Sequence, residues 1–216
     1  MTVPPVPTPL LRLIHIDNLA VVLQRGGMHA PNHTPADGLT YRPIHDVSVQ
    51  QSRSVKTVPL GAGGSIHDYV PFYFGYRSVM LLKLKTGQVQ GYTDGQRPLI
   101  YLVTSAQRVH QSAIPFVFAD GHGLAAFSSW YDDLAQLDQV PWDVVNLQYW
   151  NDTTREPDRQ RRKQAEFLVH RLCPWDLVEE IAVYDEAVKV QVESVLTASG
   201  QPPYPSVQVR RNWYYP

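Results

Sequence analysis

The residues best placed by type and spacing to do chemistry lie between Trp150 and His170. Glu166 sits among Ala165, Phe167, Leu168 and Val169. A carboxylate in apolar sequence is costly to bury unless it is paired, so such a residue is often retained for a task, and Glu166 is a candidate catalytic residue. The alternative is a surface glutamate on an amphipathic element. Just before it, Arg155, Arg159, Arg161, Arg162 and Lys163 crowd into a short run, with Tyr149 and Trp150 upstream. Cations beside stackable rings suit single-stranded nucleic acid, because phosphates need counter-charge and unpaired bases offer π-faces. A solvated helix face is the other reading of that run. On their own residue types, Arg53 reads as a loop arginine and His15 as a hydrogen-bonded core histidine.

Two other chemistries are poorly supported. Gly61–Gly64 lacks the Lys-Ser/Thr of a phosphate loop and is not a Gly-x-Gly-x-x-Gly, so it reads as a turn. The eight histidines are scattered, no His-Glu-x-x-His occurs, and Asp120-Gly-His122 reads as a turn, so no metal is expected.

Elements must hold these groups in place. Leu10–Ile16 is an apolar run. Asp17 is a candidate N-cap for a short helix carrying Leu19, Val22 and Leu23, closed by Gly26 and Gly27. From Met28 to Val58 the chain is polar and without periodicity, too long for a mere connection. Asp68–Phe74 is β-prone, with Pro71 arguing for an edge strand or a bend. Val79–Lys85, Leu99–Thr104, Phe116–Phe118 and Ile181–Tyr184 read as strands, and Val207–Trp213 as a last one. Phe127–Leu137 and Glu186–Ala198 read as helices. Ala165–Leu172 satisfies both periodicities and stays open. Short strands with scattered helices point to α+β.

The 216 residues are 44% hydrophobic, enough for one substantial core, so a single domain over 1–216 is expected. A formal net charge of -1 means that any nucleic-acid contact must be a local patch. The single cysteine, Cys173, excludes a disulfide framework. With no long apolar run or charged leader, a soluble cytoplasmic monomer is expected, with no membrane role.

Several segments together resemble the DarT family of bacterial toxins: Ile14-His-Ile-Asp-Asn-Leu19, Arg53, Asp68-Tyr-Val-Pro-Phe-Tyr-Phe74, Phe118-Ala-Asp-Gly-His122, Tyr149-Trp-Asn-Asp-Thr153 and Gln164-Ala-Glu-Phe-Leu-Val169. They run in family order over about residues 10 to 185. The resemblance implies an ADP-ribosyltransferase fold, an α+β domain with a split central sheet around an NAD cleft. That favours a strand carrying Glu166. It implies NAD+ as co-substrate, held near His15, Ile16, Asp17 and Gly26 and by an element spanning 35–53. Arg53 would be an essential arginine that also touches NAD+, and Glu166 the catalytic glutamate. Residues 120–166 would present the substrate, with Tyr149, Trp150, Arg155, Arg159, Arg161 and Arg162 on single-stranded DNA. The implied activity is transfer of ADP-ribose to a thymine base by a toxin whose partner is a macrodomain-containing antitoxin. Guanine, RNA or protein as acceptor, and a non-catalytic nucleic-acid-binding module, are the competing readings. The C-terminal Arg210–Tyr215 lies outside the resemblance and is expected to pack.

Overall fold

The computed structural model describes residues 3–200 and 202–216. In chain order come β1 (Pro9–His15), a 3-10 turn at Ile16–Asn18, α1 (Leu19–Gln24), β2 (Gly27–His29), α2 (Val47–Val55), β3 (Tyr69–Tyr73), α3 (Val79–Lys85) and β4 (Leu99–Ser105). Then follow α4 (Ala106–Gln111), β5 (Phe116–Ala119), β6 (Trp130–Tyr131), α5 (Arg159–Lys163), β7 (Glu166–His170), β8 (Leu172–Pro174), β9 (Glu180–Val183), α6 (Glu186–Ser199) and β10 (Ser206–Val209). Among the described residues, eight strands form one mixed sheet in the order β10-β9-β4-β1-β3-β7-β5-β6, and β2 pairs with β8. The α+β expectation holds.

Alternation along the strands buries both faces. Leu10 and Ile14 of β1 join Ile100 and Leu102 of β4 beneath α1, α4 and α6. Leu11 and Leu13 join Leu99 and Tyr101 on the opposite face, beneath α3 and the C-terminal Tyr214 and Tyr215. In β7, Phe167 and Val169 enter the first cluster while Leu168 enters a smaller third one, so the ambiguous segment is a strand buried on both sides.

The sheet is nearly divided at its centre. β1 pairs with β4 along all seven residues, but with β3 only at Leu11 and Tyr73. Pro71 lies inside β3 without making it an edge strand. It sits opposite Leu168 of β7, and its carbonyl accepts from Arg12 Nη1 at 3.0 Å. A strand residue aims its amide and carbonyl to one side, so the N–H that proline lacks would have pointed into the seam, where no ladder runs.

Four further expectations are corrected. Val79–Lys85 is helix, not strand: Ser78 Oγ caps it by accepting from Leu81 N, its Leu, Met and Lys are good helix formers, and Lys83 and Lys85 oppose the negative C-terminal dipole. The segment from Phe127 to Leu137 is not one helix but a short strand, β6, followed by a 3-10 turn that Asp133 caps. Asp17 is not the N-cap of α1: His15 Nδ1 accepts the Asp17 amide, and the Asp17 carboxylate is taken by Arg42. The polar stretch before Val58 contains α2, so Arg53 is helical rather than in a loop.

Candidate active site

A cavity of about 480 Å³ opens over the seam between β1 and β3, a size common for small-molecule sites. Arg12, Arg42, Arg53 and Lys83 line it against only two carboxylates, Asp46 and Glu166. Arg42 and Arg53 are ion-paired, so Arg12 and Lys83 are the cations of the wall that an anionic ligand would complete.

Glu166 begins β7, flanked by Tyr73 of β3 and Ala119 of β5. Arg53 reaches it from the last turn of α2, whose N-cap Asp46 accepts from the Ser48 and Val49 amides. The contact is bidentate: Arg53 Nη1 donates to Oε1 at 3.1 Å and Nη2 to Oε2 at 2.8 Å. Gly123 N donates to Oε1 at 2.8 Å. A side chain at Gly123 would bring Cβ within 2.5 Å of that oxygen, so only glycine allows this approach. Arg53 is 7% exposed and Glu166 3%. Burial pushes the Glu166 carboxyl upward, but the Arg53 charge and hydrogen bonds, with the Gly123 amide, outweigh it and hold the group below the usual carboxylate range. Oε1 has two donors and Oε2 one, leaving Oε2 free to accept from a hydroxyl.

Residue-type reasoning read the segment around His122 only as a turn. The turn is real, yet the imidazole lines the same cavity wall. Burial lowers its pKa; nearby Glu166 opposes that and Arg53 reinforces it, so the ring is neutral at pH 7. The signal was one residue away in sequence, since the following Gly123 amide is the third donor to Glu166.

The corner after β1 is tightly tied. Asn18 exchanges two hydrogen bonds with the Arg42 backbone, 2.9 Å and 2.7 Å, and Arg42 pairs with both Asp17 and Asp94. His15 is buried, with Nε2 3.4 Å from Asp94 Oδ2 but no hydrogen-bond partner. His15, Ile16, Asp17 and Gly26 are not in the cavity wall, whereas Ile14 and Asn18 are. Gly26 closes α1 in a left-handed conformation, and the close approach at the adjacent Gly27 is to the Cys173 carbonyl of β8 rather than to the cavity.

A family model described as "ssDNA thymidine ADP-ribosyltransferase, DarT" matches residues 11–215. The chain belongs to the DarT family. A DNA ADP-ribosyl transferase of Thermus sp. (strain 2.9) is 41% identical over 211 residues, 98% of each chain. One from Escherichia coli O127:H6 is 31% identical over 204 residues, 94% of this chain and 92% of that one. The structure of Thermus sp. 2.9 DarT in complex with ADP-ribosylated ssDNA matches with a TM-score of 0.93 at 39% identity, covering 99% of both chains. The same protein in complex with NAD+ gives 0.89 at 39% identity, covering 99% of this chain and 100% of that one. The DarT match extends past residue 185 and takes in the C-terminal tyrosines.

The residues that the DarT resemblance places on DNA fare unevenly. Tyr149 is 78% exposed, but Trp150 is 6% exposed and its Nε1 donates to Tyr215 Oη at 2.7 Å, so it offers no stacking face. The basic run is mostly neutralised. Arg159 pairs with Glu156, Arg161 with Asp120 and Asp158, and Arg162 with Asp143. Arg155 is exposed and joins no ion pair among the described residues. Lys163 is buried, its Nζ donating to the carbonyls of Tyr76, Val145 and Leu147 at 2.9, 2.5 and 3.0 Å. The sequence shows cations but not their partners, and Asp120 and Asp143 lie far along the chain from the arginines they neutralise. No group of three or more ligand-type side chains is placed to hold a metal among the described residues, and no helix there is long and apolar enough to cross a membrane.

Proposed function

We propose that this chain breaks the nicotinamide–ribose bond of NAD+ and attaches ADP-ribose to a thymine base of single-stranded DNA. The observation that carries the reading is the buried Arg53–Glu166 pair with its Gly123 amide, set in the cavity at the sheet seam. As nicotinamide leaves with the bonding electrons, positive charge develops at the ribose anomeric carbon. Glu166 stabilises that charge, with Oε2 accepting from the adjacent ribose hydroxyl. Arg53 holds the carboxylate ionised and aimed, and the 35–53 element, tied down through Asn18 and Arg42, closes over the dinucleotide with the His15–Asp17 corner at its margin.

The acceptor base forms the new bond through a ring nitrogen and must lose its proton. A guanidinium is effectively always protonated, so Arg53 is a positioning group. The neutral His122 imidazole on the same wall takes the proton. Tyr149 and Arg155 meet the DNA first. Phosphates entering beside Arg159, Arg161 and Arg162 exchange with the carboxylates that hold them, so DNA binding weakens steeply with salt. Family resemblance supports a toxin role, countered by a macrodomain partner that removes the modification.

The test is to incubate the protein with NAD+ and single-stranded oligonucleotides with or without thymine, and to weigh the products, with Glu166→Gln as control. One ADP-ribose gained only on thymine-containing DNA, and absent with the variant, is expected. A gain on thymine-free DNA changes the base. Nicotinamide release without any DNA adduct moves the acceptor elsewhere.

A further inference from the structure

Arg12 sits in the seam itself. Its side chain crosses from β1 to the Pro71 carbonyl, and that is the hydrogen bond its guanidinium makes within the protein. Nε is buried without a partner. Arg12 enters no ion pair among the described residues, while Arg53, whose own counter-charge is Glu166, is close enough to repel it. A half-buried cation whose Nε is buried without a partner, next to a second cation, is better satisfied when an anion completes it. In the wall around it, Arg42 is neutralised by Asp17 and Asp94 and Arg53 by Glu166, which leaves Arg12 and Lys83 without an ion-pair partner among the described residues.

We propose that Arg12 binds the diphosphate of NAD+, its guanidinium fork spanning the seam between the Pro71 carbonyl and the phosphate oxygens. The inference rests on the use of NAD+ argued above. A diphosphate supplies the counter-charge that Arg12 and Lys83 lack, and a planar fork matches phosphate geometry better than a point charge does. Arg12 does not touch the reacting atoms; it is a binding and positioning residue.

The alternative is that Arg12 is only a strut satisfying Pro71. Arg12→Gln and Arg12→Lys separate the two, through calorimetric binding of ADP-ribose and of adenosine, the unfolding temperature of the unliganded protein, and KM for NAD+ measured apart from kcat. Arg12→Gln is expected to weaken ADP-ribose binding and raise KM by about 10- to 100-fold. Adenosine affinity is expected to stay unchanged, with kcat at saturating NAD+ within about threefold of the parent. Arg12→Lys restores part of the affinity through its charge. If Arg12→Gln binds ADP-ribose as tightly as the parent, or loses ADP-ribose and adenosine equally along with unfolding temperature, the proposal falls and the strut remains. If the parent protein itself binds neither NAD+ nor ADP-ribose, the NAD+ reading fails and takes this one with it.

Discussion

At the scale of single residues, stability and the proposed chemistry meet in the Arg53–Glu166 pair. Removing one member leaves a buried charge alone, which costs about 3 to 5 kcal/mol. Arg53→Ala and Glu166→Ala are therefore each expected to lower the denaturation midpoint substantially and to abolish transfer. The double variant Arg53→Met/Glu166→Leu, also inactive, should recover most of the stability, since apolar residues of similar volume replace buried ion pairs well; a double variant less stable than either single would refute this. The lowered pKa of Glu166 fixes the pH sign. The pair contributes fully above the ordinary value of 4.5 and is lost as pH falls through the lowered one. His122 behaves differently. Burial keeps it neutral down to below its ordinary 6.5, so kcat/KM should fall as acid protonates the ring. His122→Asn should lower kcat and remove that limb from the pH profile, and a retained limb would assign the proton to another group.

At the scale of elements, the structure explains what was legible. β4, β5, β9 and α6 follow the expected pattern because each is built on a strong apolar repeat that the core rewards. α2 was invisible because the stretch Val47–Val55 buries only Arg53, leaving no apolar stripe to read. α3 was misread because Val79, Leu81 and Leu84 bury in a spacing that begins like a strand, and the deciding Ser78 cap lies one residue outside the run. Glu166 was visible as a carboxylate out of place, but its partner 113 positions away was not, since nothing local in Arg53 marks the contact. The basic run illustrates the opposite failure: its most N-terminal member joins no ion pair among the described residues while Lys163 is interior. Three carbonyls converge on Lys163 Nζ, tying α5 to the 145–147 segment and to Tyr76. Burial, reinforced by the Arg77 charge, lowers its pKa to about 7. Lys163→Met leaves the buried Val145 carbonyl and two part-buried ones without their donor, so it should destabilise the chain by at least about 1 to 3 kcal/mol in chemical denaturation. A near-neutral result would mean that water replaces the ammonium.

At the scale of the whole molecule, the C-terminus braces both the core and the acceptor side. Tyr214 Oη donates to the Leu99 carbonyl at 2.8 Å, between β4 and β9, and Tyr215 Oη receives the Trp150 indole while donating to the Arg77 carbonyl at 2.5 Å. Deleting residues 213–216 should therefore lower the unfolding temperature and loosen the segment around Trp150, read as faster proteolysis between Val145 and Arg155. The seam has a different consequence. Because Leu11 and Tyr73 are the single register pair between β1 and β3, the β4–β9 half and the β7–β5 half each close their own hydrogen-bond ladders and are joined across the seam mainly by side-chain packing. In deuterium exchange the molecule should then behave as two cooperative opening units with separate protection factors, and a dinucleotide lying across both should slow them together, turning a two-part mechanical body into one.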